Sequence, residues 1–196
     1  MTGPVPIPDA TIAAMIEKNV PCAVLPRTAQ RLRIEMDMNQ GRPMGKLLEM
    51  MHFNQIRMIQ AGAPILLSTD AGVIDPDAAA EIKPAQAVER STTLGEAHFF
   101  WFRAMQEKGM APMDAILAAT RDIAAAYRKL DQFGTIEPGK RADLVLLESN
   151  PLDDLEHVRS ITMVMKDGRV VDRDRLPLKP VLTVPREPTT STNGSQ

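Results

Sequence analysis

One cysteine, Cys22, is all the chain has, which excludes an internal disulfide and leaves the redox compartment open. Aromatic residues make up only 4% of the sequence, so the core must be built from aliphatic side chains and from the 13 methionines, whose flexible thioethers fill irregular gaps. Charge of one sign is not in excess: 23 basic residues face 25 acidic ones, with no basic block, so the electrostatic footprint of a nucleic-acid binder is missing. No run of ~18 apolar residues occurs, which excludes a membrane-spanning helix of ordinary length. The opening residues 1–8 carry neither the basic nor the apolar segment of a secretory signal, and a cytoplasmic location is the default expectation. Histidine is scarce too. His52, His98 and His157 are the whole set, no two of them form a His-x-His pair, and this is too few to furnish a histidine-rich metal centre.

What remains is an ordinary globular sequence, 44% hydrophobic over 196 residues, with room for one domain or one domain plus a small appendage. Asp9 reads as an N-cap, followed by Ile12, Met15 and Ile16 at helical spacing and a stop near Lys18-Asn19. Residues 20–26 read as a short buried strand, and 27–42 as a loop or broken helix. Leu48, Met51, Met58 and Ile59 mark one face of a helix over 43–61, with Gly62 at its C′ position and Pro64 as a stop. Residues 65–69 form the next strand. Helix, strand, helix, strand is the repeat of a parallel α/β architecture.

A long loop holding Pro76 and Pro84 comes next. A helix then runs from about 94 to 107, carrying His98 and the consecutive rings of Phe99, Phe100, Trp101 and Phe102, which must point all round its axis. Pro112 suits the first position of another helix, which has Asp114 in its first turn and turns Ile116, Leu117, Thr120, Ile123 and Ala124 inward before ending ahead of Asp131. The character changes at Phe133. Pro138-Gly139 suits a type II turn, 142–147 reads as a strand, and 161–171 as two strands joined at Asp167-Gly168. From Pro177 onward Pro, Thr and Ser dominate, and a flexible tail is expected.

The chemistry centres on Ser68-Thr69-Asp70-Ala71-Gly72, directly after the apolar run at 64–67. A buried strand that ends in an acidic residue and a small-residue turn is how a parallel α/β barrel delivers a carboxylate to its active face. Such a carboxylate beside an activated water can take its proton and later return it to a leaving group. The plainer alternative is that Asp70 caps the next turn through neighbouring backbone N–H groups. Position alone leaves both open. His98 is read either as a substrate-facing group or as a buried hydrogen-bonded histidine, His52 and His157 as structural or exposed, and Ser68 and Thr69 as partners of backbone. Asp75 and Glu81 in the loop carry no assignable role.

Taken together, these segments resemble the C-terminal portion of the amidohydrolase superfamily, in its imidazolonepropionase-like and prolidase-like branch. Residues 65–72 are similar to the last barrel strand with its metal-binding, proton-handling aspartate, and Gly109-Met110-Ala111-Pro112-Met113-Asp114-Ala115-Ile116 with Ala118-Ala119-Thr120 to the helix after it. Gly134-Thr135-Ile136-Glu137-Pro138-Gly139-Lys140-Arg141-Ala142-Asp143-Leu144-Val145 is similar to the segment that returns the chain to a flanking β-sandwich, continued by Asn150-Pro151-Leu152 and 164–171. The resemblance covers residues 8 to 175 and implies an α/β fold: about the last two strands of a TIM-type (β/α)8 barrel over 1–131, a β-sandwich return segment over 132–176, and the tail over 177–196.

The resemblance further implies hydrolysis of a carbon–nitrogen bond, in a non-peptide or cyclic amide or a dipeptide, by water activated on a divalent metal, with zinc expected. Asp70 would be both catalytic residue and metal ligand, His98 would face a small amide-type substrate, and neither nucleic acid nor membrane would be a partner. The family's site also draws on a His-x-His pair, a mid-barrel lysine or acid, and histidines of the fifth and sixth strands, which this sequence does not contain. Two expectations result. One is a C-terminal fragment of an enzyme, inactive alone; the other is a non-catalytic remnant or split-protein component that needs a partner chain to complete the barrel. Both predict self-association or pairing with an N-terminal segment, because unpaired barrel strands expose their edges, and both predict far less than one metal per chain.

Overall fold

Pro8 sets the first helix. Its carbonyl accepts the N–H groups of Thr11 and Ile12, so α1 (Asp9–Glu17) is capped by Pro8 and not by Asp9. Asp9 instead occupies the first helical position and pairs with Arg57. The computed structural model describes residues 5–72, 89 and 94–176.

β1 (Cys22–Val24) and β2 (Ile65–Leu67) pair in parallel, with Cys22 opposite Ile65 and Val24 opposite Leu67. Between them lie α2 (Ala29–Met38) and α3 (Pro43–Gln60). The expected loop or broken helix at 27–42 is thus one regular helix and a turn. Thr28 caps α2 by accepting the Arg31 N–H at 3.2 Å, and Glu35 braces it through Arg31 and Arg27, each at 2.7 Å. α3 begins on Pro43 and ends as the sequence suggests: the N–H of Gly62 reaches Ile59 O and that of Ala63 reaches Met58 O, a Schellman closure.

α4 (Ala97–Glu107) supplies the centre of the core. Trp101 and Met105 are fully enclosed and pack with Ile12, Val24, Met58, Ile65 and Leu155. The Trp101 indole N–H donates to Val24 O at 3.2 Å, so the bulkiest buried side chain leaves no polar atom unmatched. Phe99 and Phe100, on other faces, lie beneath the Arg159 guanidinium at 4.3 and 5.4 Å. The single helix expected after Pro112 is two: α5 (Pro112–Ala119) and α6 (Arg121–Ala126). They part at Thr120, whose hydroxyl donates to Ile116 O at 2.7 Å and competes with the backbone for its preceding turn. Thr120 is exposed, and Ala115, Ala118 and Ala124 carry the buried face.

The second sheet is antiparallel, in the order β3 (Leu144–Leu147), β4 (Ile161–Lys166), β5 (Arg169–Val170). A 3-10 turn, Leu155–Arg159, joins β3 to β4 and fastens the sheet to α4. Leu155 N–H donates to Gln106 Oε1 at 2.9 Å, and Arg103 grips Glu156 with two bonds of 2.6 and 2.9 Å. The described residues therefore form a mixed α/β fold. Among them no helix is long and apolar enough to cross a membrane. The proline-containing stretch 73–88 and 90–93, with Asp75 and Glu81, and the tail 177–196 lie outside the described residues.

Candidate active site

Parallel pairing brings the ends of β1 and β2, Val24 and Leu67, side by side. The segments after the two strands therefore leave the sheet in the same direction: residues 25–28 from β1, and Ser68 to Gly72 from β2. Asp70 sits in this second turn with φ +52°, a left-handed conformation that costs a residue bearing a Cβ ~1–2 kcal/mol, although aspartate tolerates it better than most. Its side chain is exposed. The turn's own N–H, that of Ala71, is taken by Thr69 Oγ1 at 3.2 Å, and no hydrogen bond joins Asp70 to another described side chain. So the local capping function falls to Thr69. Gly72 comes next with φ +83°, and a Cβ placed on it would meet the Leu94 side chain at 3.2 Å. The Leu94 side chain thus lies beside the turn at Gly72.

His98 lies in the first turn of α4, half-buried, with its ring 3.9 Å from that of Phe99. Burial pushes its pKa below the ordinary value, Glu96 opposes that shift and Arg159 adds to it, so the neutral imidazole is favoured. No hydrogen bond or ion pair connects it to Asp70. His52, on α3, keeps a buried Nδ1 without a partner among the described residues, and its pKa too is lowered, by burial and then by the charge of Lys108. His157 Nδ1 is 2.7 Å from Asn150 O, a local backbone contact. Among the described residues no three His, Cys, Asp or Glu side chains converge into a metal-binding group.

Sequence reasoning passed over a polar cluster beyond the end of β1, at the start of α2. Thr28, 1% exposed, donates its hydroxyl to Glu89 Oε1. The Ala29 N–H donates to Glu107 Oε2 at 2.5 Å, and Lys108 Nζ donates to Arg27 O at 2.6 Å. Burial lowers the Lys108 pKa to about 8, with Glu107 working against the shift. The Thr28 cap was readable as a threonine ahead of a helix-compatible stretch; the burial of Glu89 and Lys108 depends on chain segments far apart and left no local signal.

The amidohydrolase family matches residues 8–171 of the chain. Imidazolonepropionase of Porphyromonas gingivalis is 31% identical over 168 residues, which cover 84% of this chain and 32% of that protein. Among solved structures, molinate hydrolase superposes with a TM-score of 0.82 at 42% identity, covering 90% of this chain and 38% of its own. Phenylurea hydrolase B superposes at 0.80 and 38% identity, covering 91% and 39%. The chain spans between 32% and 39% of the length of these relatives.

Proposed function

Because the chain belongs to the amidohydrolase family, we propose that it is the C-terminal part of a metal-dependent hydrolase that cleaves a carbon–nitrogen bond with activated water. Asp70 carries this reading: an exposed carboxylate just past the end of a buried parallel strand, in a turn whose own N–H is already satisfied by Thr69. A carboxylate so placed can accept a proton from water and return it to the departing nitrogen, a transfer worth ~10²–10⁴ in rate. In this reading β1 and β2 are the last two strands of a (β/α)8 barrel, Asp70 lies on its active face, and β3 to β5 belong to a flanking β-sandwich. His98, shortly after Leu94 in the chain, offers a neutral imidazole to the substrate.

In a complete family enzyme the metal lowers the pKa of its bound water and so supplies hydroxide at neutral pH. The described residues do not fit such an ion by themselves, since Asp70 has no companion donors among them. We assign the remaining donors to the part of the family's length that this chain does not span. The same observation favours a second reading, a split-protein component that is inert until its partner completes the barrel. In either case the edges of β1 and β2, unpaired among the described residues, call for a neighbour, and size-exclusion chromatography reads this as oligomer formation. Greater identity to phenylurea hydrolase B and molinate hydrolase than to imidazolonepropionase favours a small substrate with a urea- or amide-type bond.

Pairing the chain with the complementary part of phenylurea hydrolase B and supplying zinc tests the proposal. The wild-type assembly is expected to hydrolyse a phenylurea, and D70N at equal assembly to lose ~10³ in turnover. An assembly that turns over equally fast with D70N removes Asp70 from the chemistry.

A further inference from the structure

Arg159 closes the 3-10 turn between β3 and β4, far along the chain from Asp70, and the proposed chemistry leaves it unused. Its guanidinium reaches the start of α4. Nη1 donates to Glu96 Oε2 at 2.9 Å, and the Phe99 and Phe100 rings lie beneath it at 4.3 and 5.4 Å. Within its own turn it stands 3.5 Å from Glu156, which Arg103 of α4 holds with two bonds. The charges therefore alternate from Glu96 through Arg159 and Glu156 to Arg103, and the line crosses twice between α4 and the turn. A surface ion pair by itself contributes little. Here the guanidinium is also seated on two rings and restrained by Glu156, so its position is held from three sides.

Glu96 is available to Arg159 because its side chain caps nothing. It sits just ahead of α4, where its backbone carbonyl accepts the Phe99 N–H at 3.0 Å and its carboxylate makes no cap bond. Two residues earlier, Leu94 rests against Gly72 of the Asp70 turn. Glycine permits this approach, since a Cβ at 72 would meet the Leu94 side chain at 3.2 Å. The contact is direct, side chain against turn backbone. We propose that Arg159 is a positioning residue for the Asp70 turn: by fixing Glu96 it holds Leu94 against Gly72, so that the second sheet sets where the first presents its carboxylate. The importance of that position for catalysis rests on the reading of Asp70 given above. The position itself does not, and amide exchange measures it separately.

Hydrogen exchange in the whole 196-residue chain tests the link at two amides. The Ala71 amide, bonded to Thr69 Oγ1, reports the Asp70 turn; the Leu155 amide, bonded to Gln106 Oε1, reports the docking of the 3-10 turn on α4. R159A and E96Q are each expected to speed exchange at Ala71 by about fivefold, with Leu155 within about twofold of wild type. Both remove the same link, so the double variant should exchange no faster at Ala71 than R159A does. L94A should speed Ala71 as well, and adding R159A to it should change nothing further. Salt supplies a readout that lost packing would not: about 1 M sodium chloride should raise Ala71 exchange in wild type, relative to an unstructured peptide, and leave R159A unmoved. Should R159A fail to fold, E96Q, altered at a partly exposed side chain, decides on the same amides and the same salt comparison. Ala71 exchange unchanged in both single variants, or insensitive to salt in wild type, overturns the proposal. So does an R159A effect that persists in full on the L94A background, or a Leu155 rate that rises as far as that of Ala71.

Discussion

β1 and β2 are three residues each and could not stand as an isolated pair, yet Val24 and Ile65 within them are 4% and 3% exposed. Helices that lie far away in sequence cover them, with Trp101 bonded to Val24 at the centre. The antiparallel sheet is the reverse case. Its turns are local, formed at Pro138-Gly139 and Asp167-Gly168, while Val145, Leu146 and Val170 stay 55–62% exposed. One part is therefore shaped by burial across long chain separations, the other by neighbouring residues. Asp70 belongs to the first, so its placement depends on contacts that no short stretch of sequence contains.

Removing the centre of the first part should have the largest effect. Trp101→Ala is expected to cost ~3–5 kcal/mol in a denaturant titration, with amide protection in β4 and β5 falling much less than in α3 and α4. Equal loss in both sheets would show that they unfold as one unit and would erase the contrast. Lys108 comes next. An unfolded lysine keeps its proton to about 10.5 and the folded one releases it at about 8. Between those values unfolding takes up a proton, so stability rises with pH, by up to ~3 kcal/mol, while below pH 8 the full penalty of burying the ammonium is present. Urea titrations from pH 7.5 to 10 should show this rise in wild type and its absence in K108M.

The joint between the two parts is sharpened by Gly134, whose φ is +102° and whose missing Cβ would lie 2.5 Å from Ala124 Cβ and 3.2 Å from Thr120 O. Gly134→Ala should cost ~2 kcal/mol in thermal unfolding; a neutral result would mean that the joint yields easily. Asp143 gives the smallest effect, confined to the second part. The backbone N–H of Asp167 at 2.8 Å, then Lys166 Nζ at 2.7 Å, hold its pKa at about 2, below its ordinary 3.8. Its contribution is present above pH 3.8 and lost as the pH falls toward 2. Amide exchange at Asp167 should rise over that range in wild type, whereas D143A, which removes the acceptor, should be unprotected there throughout.

The same contrast governs what the sequence revealed. Gly62 and Pro112 mark helix ends through backbone conformations that only their own types favour, and the two β-turns are written in adjacent residues. The apolar run before Asp70 likewise located the carboxylate at a strand end. α2 escaped because it has no apolar stripe: a Thr28 cap and the Arg31 and Arg27 pairs to Glu35 hold it, and periodicity detects none of these. Asp9 lost the cap because the carbonyl of Pro8 already gathers the first N–H groups. Thr120 splits its helix through a side-chain bond to Ile116 that competes with the backbone. Glu89, Thr28 and Lys108 became a cluster only once the start of α2 and the end of α4 had come together.

Zinc content tests most directly whether Asp70 requires donors from beyond the described residues. After equilibration with zinc and desalting, the purified chain should carry far less than one zinc per molecule by elemental analysis, in wild type and D70N alike. A single tightly held zinc per chain, present in wild type and lost in D70N, would contradict this and would make the chain a metal centre in its own right.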